Sequence, residues 1–83
     1  MRTRRKKKAK PSPDARDVAL GERIRFLRMQ AKASQEEIGR KCGVTNQQVQ
    51  KYEIAQTRVA WSRLCQLADA LHISVPDLIG PLV

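Results

Sequence analysis

The chain has 83 residues, with 17 Lys and Arg against 8 Asp and Glu, a net charge of +9. A chain this short buries only about 60–65% of the surface it exposes when unfolded, so it holds one domain with little room for an elaborate enzyme pocket. No apolar run approaches the roughly 18 residues that span a bilayer, and Cys42, Cys65 and His72, its only cysteines and histidine, stand at no metal-site spacing. No membrane span, metal or cofactor is therefore expected.

The positive charge is uneven. Arg2, Arg4, Arg5, Lys6, Lys7, Lys8 and Lys10 fall within the first 13 residues with no acid among them, which leaves +2 for the rest. Residues 1–12 carry too little apolar surface to offset the entropy of ordering and are expected to form a disordered basic arm. Such a polycation attracts a nucleic-acid backbone or an anionic membrane without regard to sequence. Pro11, Ser12 and Pro13 follow in place of an apolar signal-peptide core. A soluble, cytoplasmic location is expected.

Residues 13–83 read as a string of short helices. Ser12, Pro13 and Asp14 have the character of a helix cap, a first-turn proline and an acid at the positive helix end. Leu20, Ile24, Leu27 and Ala31 then recur at i, i+4, i+7 and i+11, an apolar stripe along a first helix of about four turns, with Arg23, Arg25 and Lys32 largely off it. Ser34-Gln35-Glu36-Glu37 has the form of a capping box that opens a second helix. That helix ends after Cys42, where Gly43 supplies the positive φ of a tight turn.

Thr45-Asn46-Gln47-Gln48 repeats the box with Gln48 as the returning acceptor, and Val49 and Tyr52 supply the inward face of a third helix. Leu64, Leu67, Ala68 and Leu71 mark a fourth. Ser74 through Asp77 cap a fifth, with Leu78 and Ile79 inward and Gly80-Pro81 as its stop. No stretch alternates apolar and polar residues over strand length. The expected fold is all-α, with five helices and no internal repeat.

Two capped helices of about two turns each, joined at a glycine, form a helix-turn-helix unit, whose second helix can lie in a DNA major groove. With Val49 inward and about 100° per residue, Gln47, Gln50 and Lys51 point outward, and Asn46 sits at the exposed N-terminal end. Carboxamides both donate and accept, which suits the N6 donor and N7 acceptor on the major-groove edge of adenine. A solvated polar face is the plain alternative; the basic arm and the capped helix before it favour base reading.

From Leu20 to Gly80, about three quarters of the chain, the sequence resembles the Cro and C1-repressor (XRE) helix-turn-helix family. The resemblance rests on Ser34 to Ile38, Gly43-Val44-Thr45, Gln47 to Glu53 and Leu64 to Leu71 taken together. It implies a five-helix phage-repressor-like DNA-binding domain over residues 13–83. It also implies base reading by Thr45, Asn46, Gln47 and Lys51, with Gln50 a weaker candidate, and phosphate binding by Gln35, Gln48 and Arg58. Gln35 would brace the recognition helix as well. The resemblance further pairs Arg28 with Glu53, a structural ion pair. Two positions depart from the pattern: Ala55 and His72 stand where the family commonly has glycine. A positive φ at either would strain the backbone by about 1 kcal/mol.

The remaining features carry two readings each. Cys42 and Cys65 are expected as buried apolar residues, with a disulfide or redox switch as the alternative. Trp61 is either a core or rim residue or a candidate dimer contact. His72 is expected as a helix-end residue. Leu78, Ile79, Pro81, Leu82 and Val83 suggest burial in a partner subunit or in a longer chain. The basic arm either follows the backbone and minor groove or adds affinity without specificity. The functional expectation is a small transcriptional regulator, a repressor acting as a homodimer on a two-fold symmetric double-stranded operator. The alternatives are an antitoxin-type module that binds a toxin or other protein partner and its own operator, and a restriction-modification controller. No nucleophile with a base partner, carboxylate pair or metal cluster supports an enzyme.

Overall fold

Asp14 opens the first helix. In the computed structural model, which describes residues 14–83, its backbone is extended and its Oδ1 accepts from the Arg16 amide at 2.8 Å. The Arg16 guanidinium closes on the same carboxylate, with Nη2 2.9 Å from Oδ2. The cap therefore stands two residues beyond the expected Ser12, because the Asp14 carboxylate is the acceptor that meets the first-turn amide. Ser12, Pro13 and the expected arm of residues 1–12 lie outside the described residues.

Helix α1 spans Ala15–Gln30. Ile24 is fully buried and Leu20 and Leu27 are half-buried, but Ala31 is exposed, since the helix ends there and the core it would face runs out. Gly21 is buried instead: a Cβ at this position would lie 2.5 Å from the Glu53 carbonyl oxygen and 2.6 Å from that of Tyr52. Only a residue without a side chain lets α1 approach that backbone so closely.

Helix α2 covers Gln35–Cys42 and starts with a complete capping box: Ser34 Oγ accepts from the Glu37 amide at 3.0 Å, and Glu37 Oε1 accepts from the Ser34 amide at 2.9 Å. Helix α3 covers Asn46–Glu53, and here only half of the expected box forms. Thr45 Oγ1 accepts from the Gln48 amide at 3.1 Å, while the Gln48 side chain makes no return bond. A neutral carboxamide is a weaker acceptor than the carboxylate that closes the first box. Helix α4 (Trp61–Ala70) follows a loop and opens at Ala60 without a side-chain cap; α5 (Val75–Ile79) is capped by Ser74 Oγ, and a 3-10 turn over Gly80–Leu82 follows.

One apolar cluster, including Ile24, Ile38, Cys42, Val49, Tyr52 and Leu67, joins α1 to α4. A second, around Leu64, Ala68 and Leu78, seats α5. Arg23, expected off the apolar stripe, is half-buried and fixes the same seat: its Nε donates to the Leu78 carbonyl at 2.9 Å and its Nη2 to that of Asp77 at 3.1 Å. Cys42 is buried, which pushes its thiol pKa up, whereas Cys65 is only half-buried, and both are free thiols. Among the described residues no helix is long and apolar enough to cross a membrane.

Helices α1 to α4 end alike. The amide just after a left-handed residue returns in each to a carbonyl in the last turn: Ala33 to Arg28, Val44 to Gly39, Gln56 to Lys51 and Ile73 to Ala68, at 2.8 to 3.1 Å. This closure needs one left-handed residue per helix. Gly43 serves α2 at φ 75°, but Lys32 (φ 56°), Ala55 (φ 61°) and His72 (φ 58°) serve the others. The two departures from the family pattern thus sit where glycine is favoured, at a cost of about 1–2 kcal/mol each.

Candidate nucleic-acid interface

The third helix divides cleanly. Val49, Tyr52 and Glu53 are buried, while Asn46, Gln47, Gln50 and Lys51 are exposed together with Thr45 at the cap. The half-buried Gln48 lies between the two faces. A polar ridge of three carboxamides and one ammonium therefore stands off the domain on a helix of about two turns, short enough to lie in a major groove. Ile54, just past Glu53, is exposed on the same side, although the residues singled out from the sequence stop at Lys51. Extending the spacing of about 100° by three residues reaches it.

The buried face of α3 is held by charge. Arg28 Nε lies 2.6 Å from Glu53 Oε2, its Nη2 lies 3.2 Å from Oε1, and its Nη1 donates to the Ala33 carbonyl at 2.9 Å. Gln35 Nε2 donates to Glu53 Oε1 at 3.0 Å. One carboxylate, with 1% of its side chain exposed, thus joins the end of α1, the start of α2 and the end of α3. Gln35 spends one amide hydrogen inside the domain, at the edge from which the resemblance would have it reach a phosphate.

Between α2 and α4 a further bond fixes the unit: Arg63 Nη1 donates to the Cys42 carbonyl at 2.8 Å, at the end of the first helix of the pair. Arg58 stands in the loop after α3, 79% exposed, with Nε 3.3 Å from Asp17 Oδ2. Trp61 is 67% exposed, which excludes the core and leaves the rim position or a contact with a partner. It heads α4 a turn before Leu64, beyond the end of the apolar cluster.

Residues 19–79 match the family model described as a helix-turn-helix domain. The chain belongs to that family. Over 68 residues, 82% of its length, it is 43% identical to a Sinorhizobium medicae protein named as an HTH-type transcriptional regulator, covering 48% of that protein. Over the same length it is 47% identical to the HTH-type transcriptional regulator y4aM of Sinorhizobium fredii, covering 46% of it. The chain spans about half the length of these curated relatives.

Two solved structures are similar in fold and sequence. The restriction-modification controller protein C.AhdI from Aeromonas hydrophila superposes with a TM-score of 0.75 at 32% identity, covering 78% of this chain and 98% of that one. The P22 c2 repressor protein, in complex with synthetic operator 9T, gives 0.65 at 34% identity, covering 71% and 89%. The helix-turn-helix domain is thus of the Cro and C1-repressor type.

Proposed function

We propose that this helix-turn-helix protein is a transcriptional regulator that reads double-stranded DNA with the outward face of α3 and acts as a repressor by occupying its operator. The observation that carries the reading is that exposed ridge of Asn46, Gln47, Gln50 and Lys51, held from behind by the buried carboxylate of Glu53. Carboxamides match the donor and acceptor of adenine, and lysine the two acceptors of guanine. Thr45 completes the base-reading set. Gln35, Gln48 and Arg58 hold phosphates around it, with Arg58 exchanging Asp17 for DNA.

In this reading two copies bind a two-fold symmetric operator, with Trp61 as a candidate contact between them. A large exposed ring is well suited to a self-complementary patch. The seven positive charges of residues 1–13 add affinity through the phosphate backbone. Deleting residues 1–10 then flattens the salt dependence by up to ~0.9 log unit per lost phosphate contact and leaves base preference unchanged. Control of a restriction-modification system is the second reading, favoured by the match to almost the whole of the controller protein.

The test is selection of bound duplexes from a random pool at ~0.15 M salt, where non-specific binding is already weakened. The reading expects a two-fold symmetric motif with half-sites about one helical turn apart. Binding without enrichment of any motif contradicts it.

A further inference from the structure

Ile54 is 58% exposed, whereas Ile24 and Ile38 are buried, with 0% and 1% exposed. Its amide donates to the Gln50 carbonyl at 3.0 Å, so it continues the last turn of α3. Seven residues at about 100° each bring it within ~20° of the line through Gln47, with Gln50 and Lys51 between them. The buried Val49, Tyr52 and Glu53 occupy the other side. An apolar side chain thus ends the polar ridge, roughly 10 Å along the axis from Gln47, comparable to the width of a major groove, about 12 Å.

We infer that Ile54 is a specificity-determining residue that packs on a thymine methyl group in the major groove. The inference rests on the base-reading role proposed for α3. The groove edge of each base pair carries nitrogen and oxygen donors and acceptors, which suit Asn46, Gln47, Gln50 and Lys51. The 5-methyl of thymine is its one apolar feature, and Ile54 is the one large aliphatic side chain exposed on this helix to match it, apart from the small methyl of Thr45 at the opposite end. Among the described residues the other exposed large apolar side chains, including Phe26 and Met29 on α1 and Trp61 on α4, lie outside this ridge.

The experiment takes the best duplex from the random-pool selection and replaces each thymine in turn by deoxyuridine, which removes only the methyl. Affinity is measured for the full chain and for Ile54→Ala and Ile54→Val, each with its thermal midpoint. The expected result is one thymine per half-site whose methyl contributes about fourfold in wild type, the worth of one apolar carbon leaving water. That contribution vanishes in Ile54→Ala and is reduced in Ile54→Val, while the other thymines behave alike in all three proteins. If every thymine responds identically in wild type and Ile54→Ala, the role of Ile54 is overturned while base reading by α3 stands. If the pool yields no motif, both fall.

Discussion

Arg28 on α1 and Glu53 at the end of α3 meet through two hydrogen bonds, of 2.6 and 3.2 Å, with 13% and 1% of their side chains exposed. Their bond fixes the presented helix to the scaffold, and Gln35 completes it from α2. Removing one partner leaves the other charge buried alone, which typically costs ~3–5 kcal/mol. Glu53→Gln, which keeps the shape and removes the charge, is therefore expected to lower stability by that amount. Urea unfolding followed by far-UV circular dichroism measures it; a loss within ~0.5 kcal/mol of zero would show the pair to be dispensable.

Gly21→Ala tests the contact between α1 and α3. Alanine favours an isolated helix by about 1 kcal/mol over glycine, but here its Cβ would meet the backbone oxygens of Tyr52 and Glu53. Overpacking of this kind costs ~1–3 kcal/mol, and the obstructing atoms are main chain. The thermal midpoint is expected to fall; a rise would mean that the two helices have slack between them.

His72→Gly is expected to act the other way. The left-handed residue after α4 is strained by about 1–2 kcal/mol, partly offset by the greater freedom of glycine in the unfolded chain. A net gain of ~0.5–1 kcal/mol follows, whereas His72→Ala, left-handed with a Cβ, brings none. Parallel denaturant titrations of the two variants separate backbone strain from loss of the imidazole.

The helix caps predict an acid limb in stability. The Arg16 side chain and amide beside Asp14 hold its carboxyl well below the usual carboxylate range, and the Ser34 amide lowers that of Glu37. Groups whose pKa is lower folded than unfolded stabilise above the unfolded value, near pH 4, and lose that contribution as the pH falls below it. Thermal midpoints should drop from about pH 4 downward, and Asp14→Asn with Glu37→Gln should flatten that decline. An unchanged decline in the double variant would place the acid sensitivity elsewhere.

What the sequence makes legible is local. The capping box at Ser34, the turn at Gly43 and the inward Val49 and Tyr52 depend on neighbours within four residues, so spacing alone identifies them. The seat of α5 on Arg23, 54 and 55 residues away, and the approach of Gly21 to Glu53 depend on tertiary placement and leave no periodic signal. Arg28 and Glu53 entered only through the family resemblance, for the same reason. Asp14 and Ser12 are both good capping residues by type, and spacing did not single out Asp14, whose carboxylate meets the Arg16 amide. Ile54 escaped notice because it follows the glutamate that closes the motif.

The central claim is that the ridge on α3 reads bases, and the most direct measurement compares wild type with Gln47→Ala on the selected duplex and on a scrambled duplex of equal length at ~0.15 M salt. The account predicts a loss of ~1–3 kcal/mol on the selected duplex and almost none on the scrambled one. Equal losses on both would contradict it, reducing Gln47 to a contact with the backbone.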